Sequence, residues 1–189
     1  MRKFKEALKL IIFRPNLVID FDYDKYWRDK RSTKMQDLTK FQKCRADCVL
    51  NMIKSDGKVL DLGSGDGSVI SYLEKKKKLD ITASDLSEVS LEHLNKTRHS
   101  VLQIDVENLQ VSDLRKHDFK YVFAFEVLEH VKRSEQLLMN LLAIGDEVLF
   151  SVPNTGYFAH RLRLLFGKFP LQWRLSPSEH LRFWTLSDM

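Results

Sequence analysis

Asp61, Asp66 and Asp85 stand around a run with glycine at every second position, Gly63-Ser64-Gly65-Asp66-Gly67, and a second acidic group follows as Glu126-Val127-Leu128-Glu129-His130. Residues without Cβ take positive φ freely and let a ligand approach the backbone. A dinucleotide turn would place its third small residue at Ser68 and a pyrophosphate over the next helix N-terminus. Here the third glycine is Gly67, and Asp61 and Asp66 would repel that anion. The same carboxylates suit a ligand that carries an ammonium and no phosphate. Asp85 lies 24 residues after Asp61, close to the ~20-residue spacing of an acid that accepts from ribose hydroxyls. An Asp just ahead of Ser87 equally suits a helix cap. Glu126, Glu129 and His130 are side chains that can exchange protons with a bound molecule.

These residues need a scaffold that brings strand ends together. Val59-Leu60-Asp61-Leu62 reads as a buried strand and Ser68 to Leu73 as the helix after the turn. Leu79 to Asp85 is a second strand, Ser87 with Glu88 opens a helix to about Arg98, and Val101 to Asp105 is a third strand. Phe119 to Phe125 is the fourth. Leu128, Val131, Leu137, Leu138, Leu141 and Leu142 then give the following helix a sheet-facing side, and Glu147 to Val152 is a fifth strand stopped by Pro153. Upstream, Phe41, Cys44, Cys48, Val49, Met52 and Ile53 predict a packed helix over Leu38 to Lys54, with both thiols buried. Strands alternating with helices, without an internal repeat, predict an α/β, Rossmann-like, doubly wound and mostly parallel sheet in the order 3-2-1-4-5. Ligands in such sheets bind at the carboxyl ends of the strands.

The chain of 189 residues suits a single domain, an arm and cap over 1–37 followed by a core over 38–189, and 43% of it is apolar. Against 26 acidic residues stand 31 basic ones, a formal charge of +5 that is too dispersed to imply nucleic acid. Lys75 to Lys78 close the first core helix as a solvated basic end. Two cysteines, no leader pattern and no apolar run of ~20 residues point to the cytoplasm. Phe4 to Phe13, basic and apolar, fits a helix packed on the domain better than peripheral membrane contact. Tyr26-Trp27 in the arm can lie over the pocket or simply anchor the arm.

An acid followed by Gly-x-Gly-x-Gly resembles the first motif of class I S-adenosylmethionine-dependent methyltransferases. Ser151-Val152-Pro153-Asn154-Thr155-Gly156-Tyr157, His160 to Pro170 and His180-Leu181-Arg182-Phe183-Trp184-Thr185 look like the MetW family and related small-molecule methyltransferases. The resemblance implies S-adenosylmethionine as cofactor, S-adenosylhomocysteine as product, and a cofactor site at Asp61, Gly63, Ser64, Gly65, Gly67, Asp85, Leu86, Asp105, Val106 and Phe125. Asp105 would meet the adenine amine and Val106 its ring, unless Asp105 only forms a turn. Glu126 and His130 would be the catalytic pair. Glu126-x-x-Glu129-His130 is also similar to the set that can hold a divalent metal in ubiquinone-biosynthesis O-methyltransferases. Many relatives carry Leu-Glu-His without one, and no metal is assigned; Glu129 can instead simply favour a helix N-terminus. Class I enzymes usually continue with a helix and an antiparallel strand pair, about 30 more residues, so the fifth strand is expected to expose its edge, as it would in a shortened chain.

The expected activity is methyl transfer to oxygen, nitrogen or carbon of a small molecule. A cofactor-binding, non-catalytic partner of another enzyme is the alternative. A nucleotide-sugar or nicotinamide enzyme is disfavoured by Asp66 and by the place of Gly67.

Overall fold

The computed structural model describes residues 22–31, 38–97, 99–170 and 180–189. The basic segment Phe4 to Phe13 lies outside them. Five strands, β1 Gly57–Leu62, β2 Leu79–Asp85, β3 Ser100–Gln103, β4 Phe119–Phe125 and β5 Gly145–Ser151, form one sheet in the order β3-β2-β1-β4-β5, with every pairing parallel. Helices α1 Tyr23–Arg31, α2 Lys40–Met52, α3 Ser68–Glu74, α4 Glu88–Lys96, α5 Val111–Arg115, α6 Ser134–Ile144 and α7 Phe158–Leu165 accompany it.

Both faces of the sheet are covered because successive side chains on a strand point to opposite sides. Val59, Tyr121 and Phe123 pack with Ala46, Val49, Ile70, Leu73 and Leu94 on one face. Leu60, Leu62, Val122 and Ala124 pack with Leu114, Leu137 and Leu141 on the other. Register sets Asp61 opposite Ala83, Asp85 opposite Gln103 and Phe125 opposite Ser151. The chemistry-bearing residues therefore gather along one edge, the carboxyl ends of the strands.

Three expectations change. Thr39 caps α2 in a reciprocal capping box with Gln42, but the buried stripe of that helix is Ala46, Val49 and Ile53, while Phe41 and Met52 are exposed. Val49 and Ile53 are buried as expected, but the buried side runs through Ala46 and not through the cysteines, so Cys44 and Cys48 are exposed thiols, not buried ones. On the other side of the sheet, α6 begins only at Ser134 after a 3-10 turn at Leu128–His130, and its outward face leaves Leu142 exposed. The third strand is also shorter than expected, because Asp105 caps a 3-10 turn at Val106–Asn108.

Among the described residues β5 pairs along its length only with β4. Beyond it the chain returns: Thr155 donates to the Trp184 carbonyl at 2.8 Å, and Leu181 and Arg182 both donate to the Glu129 carbonyl, at 2.7 and 3.2 Å. Arg182 also reaches the Lys132 carbonyl at 2.8 Å. Residues 180–185 thus strap the loop after β4.

Candidate active site

The turn after β1 is built by three glycines in the left-handed region, Gly63 at φ 67°, Gly65 at 57° and Gly67 at 71°. At Gly65 the requirement is double, since a Cβ there would also stand 2.6 Å from the Trp27 ring of α1. Serines lace this turn to the end of β2. Ser64 N–H donates to the Ser84 carbonyl at 2.8 Å, and the Ser64 and Ser84 hydroxyls both donate to the Asp61 carbonyl at 3.0 Å. Ser64 is therefore a turn builder as well as a residue of the cavity wall.

Asp85 is the hinge of the arrangement. One carboxylate oxygen accepts from Gly65 N–H and the other from Ser87 N–H, each at 2.9 Å. It is 8% exposed, and its two bonds hold the glycine turn and the start of α4 together. Burial pushes its pKa up, against the pull of the Ser87 and Gly65 amides. The Ser90 hydroxyl and the Leu86 amide pull the same way, and the carboxylate lines the cavity wall.

These groups open on a cavity of about 480 Å³, within the range of small-molecule sites. Its wall brings together every residue of the expected cofactor set except Gly67, which lies behind the turn, and it adds Glu126 and His130. Gly67 faces Leu94. Tyr23, Tyr26 and Trp27 of α1 close one side, and Asp24 fixes that helix by accepting from the Ser87 hydroxyl and from Val89 N–H. Leu86 is half exposed. Asp105 is exposed and uses both oxygens locally, taking Glu107 N–H at 3.0 Å and the Asn108 amide at 2.7 Å. Asp66 accepts from the Ser68 N–H at 3.0 Å and from its hydroxyl at 2.6 Å, at the start of α3.

The electrostatics of the wall are lopsided. Asp61, Asp66, Asp85, Asp105, Glu107 and Glu126 line it, against Arg45 and no lysine among the described residues. Burial pushes Asp61 up to about 7, opposed by a hydrogen bond from Ser64 and assisted by the charge of Asp85. Arg45 was not foreseen. It lies within 5.1 Å of the Phe41 ring and 5.8 Å of the Phe125 ring, its Nη1 is 3.8 Å from Glu126, and its buried Nε has no hydrogen-bond partner. A cation among the apolar positions of a helix was the available signal.

Glu126 sits in the left-handed region at φ 58° and accepts from the Ser151 hydroxyl at 2.9 Å. The metal set implied by resemblance, Glu126 with Glu129 and His130, is not the one whose ligand atoms come together among the described residues. The group whose ligand atoms lie within 4.8 Å of one another is Glu129, His130 and His180. Glu129 is fully buried, neither of its side-chain oxygens has a hydrogen-bond partner, and burial with the neighbouring Glu126 charge pushes it up to about 8. Burial and His130 push His180 down to about 3. Glu129 does lie in the first turn of the 3-10 helix Leu128–His130, and it is buried there.

Residues 44–188 match the family model described as methionine biosynthesis protein MetW. The chain is 29% identical over 140 residues to the ubiquinone biosynthesis O-methyltransferase of Neisseria meningitidis serogroup C, with 69% of this chain and 58% of that protein covered. In the complex between the Haloferax volcanii Trm112 methyltransferase activator and a methyltransferase, the similar chain superposes with a TM-score of 0.55 at 18% identity, over 68% of this chain and 57% of that one. For a TehB-like S-adenosylmethionine-dependent methyltransferase from Corynebacterium glutamicum the values are 0.50 and 21%, over 68% and 69%. At such identities the structures share the fold. The chain spans somewhat under two thirds of the Neisseria relative's length.

Proposed function

The chain belongs to the MetW family, and from that premise we propose that it is an S-adenosylmethionine-dependent methyltransferase acting on a small molecule. The observation that carries the reading is Asp85, held at the end of β2 by the Gly65 and Ser87 amides and lining the cavity beside the glycine turn. A carboxylate in that place accepts from two vicinal ribose hydroxyls at once. The rest of the wall fits the same ligand and no pyrophosphate: Asp61 suits its ammonium, Arg45 its carboxylate, and Leu86 and Val106 the faces of its base, with Asp105 near the base's amine.

When bound, the sulfonium supplies an electrophilic methyl group. What the protein must add is alignment of the acceptor and a place for its proton. Glu126 and His130 are the groups of the cavity wall available for that proton, and Arg45 with Ser151 holds Glu126 in position. Trp27 and Tyr26 cover the turn and exclude water from the bound ligand.

The test is thermal unfolding of the chain with saturating S-adenosylhomocysteine or NADH. A ligand bound only by the folded state stabilises it by about 2.7 kcal/mol at 100 times its Kd. The reading expects S-adenosylhomocysteine to raise the melting temperature by several degrees and NADH to leave it unchanged; the reverse ranking overturns it.

A further inference from the structure

We infer that Glu129, His130 and His180 form a binding site for a divalent cation of the zinc class, beside the methyl-transfer cavity and distinct from the Glu126-containing set. His130 Nε2 and His180 Nε2 each lie 4.0 Å from Glu129 Oε1. That is too long for a hydrogen bond and near the spacing of ligands on one metal. Bonds of ~2.0–2.2 Å to zinc put tetrahedral neighbours ~3.3 Å apart, so each His–Glu129 pair needs to close by about 0.7 Å, within a group whose ligand atoms all lie within 4.8 Å of one another.

The second observation is independent of the spacing. The Glu129 side chain is fully buried, and both of its oxygens lack any hydrogen-bond donor. A buried carboxyl in that condition costs free energy unless something in the site answers it, and a cation between it and two imidazoles does so. The type of cation follows from the ligands. Two nitrogens and one carboxylate are a zinc or cobalt set with a coordination position left open. Magnesium prefers an all-oxygen, water-rich shell.

The site exists because of the return strap. The bonds from Leu181 and Arg182 to the Glu129 carbonyl bring a residue from the end of the chain against the loop after β4, and the His180 ring packs edge-on to His130 at 4.9 Å. His130 also lines the cavity. On the proposed methyltransferase reading, a cation there meets an oxygen or nitrogen of the acceptor, His130 serves as a ligand, and Glu126 remains as the proton acceptor.

The experiment is titration of tag-free chain with Zn²⁺ in competition with a chromophoric chelator, and with Co²⁺ followed by visible absorption. The inference expects one tight equivalent, a cobalt spectrum of nitrogen and oxygen ligation without thiolate charge transfer, and at least ~100-fold weaker binding in Glu129→Gln and His180→Ala. Glu126→Gln and a Cys44→Ser, Cys48→Ser double variant should retain the site. If His180→Ala fails to fold, His180→Asn replaces it, and the wild-type cobalt spectrum decides in either case. No stoichiometric binding by folded wild type, a thiolate spectrum, or full affinity in Glu129→Gln overturns the inference. Because no adenosyl ligand is present, this failure is separate from failure of the methyltransferase reading.

Discussion

Single carboxylates dominate the cavity wall, and they are held in different ways. Asp85, the proposed ribose acceptor, also ties the glycine turn to the start of α4, which changes what its removal does. Asp85→Ala strands the Gly65 and Ser87 amides at about 1 to 3 kcal/mol for each unpaired donor, so the unliganded variant should melt several degrees below wild type. An unchanged melting temperature would show that the two bonds contribute nothing to the fold. Asp61 gives a pH dependence whose sign follows from its pKa of about 7. A bound ammonium favours the ionised carboxylate, so below pH 7 the ligand must displace a proton. Affinity for S-adenosylhomocysteine should rise up to ~10-fold per unit between about pH 5.5 and 7 and level off above. By the same linkage the unliganded fold loses stability from about pH 4 to 7, where the unfolded chain has released a proton that the folded one keeps. Asp61→Asn should flatten both trends; a slope that survives in that variant removes Asp61 as its source.

At the level of elements, the sequence was informative where one periodicity ran unbroken. The bounds of β2 and β4 agree with expectation to the residue, because apolar runs between an acid and a turn leave little choice. Helix faces were harder to read. In α2 apolar residues lie on more than one side, and only packing against Val59 and Tyr121 selects Ala46, Val49 and Ile53. The serine lacing of the glycine turn and the placing of His180 depend on contacts distant in sequence, so composition carries no trace of them. The His180 tract was legible only as a family resemblance. Helix α1 gives a prediction of its own. Asp24 anchors it to the start of α4, so Asp24→Ala should loosen the lid over Gly65. The expected result is roughly 5- to 10-fold faster dissociation of S-adenosylhomocysteine with little change in melting temperature, since rates of release absorb most affinity changes. Stopped-flow displacement measures this, and an unaltered dissociation rate would assign α1 an anchoring role alone.

For the whole molecule, five parallel strands bring Asp61, Asp85, Asp105 and Glu126 to one edge although they are spread over 66 positions of the chain. No helix among the described residues is long and apolar enough to cross a membrane. The sheet itself is compatible with many chemistries; the choice among them rests on a wall rich in carboxylates and nearly free of cations. That wall makes the central claim open to one direct measurement, calorimetric titration of S-adenosylhomocysteine into wild type and Asp85→Asn. Asn keeps the size of the side chain but offers one acceptor oxygen in place of two, and charge-assisted bonds contribute ~1.5 to 3 kcal/mol. The account predicts one site in the wild type and roughly 10- to 100-fold weaker binding in the folded variant. No binding by the folded wild type, or equal affinity in the two proteins, would contradict it.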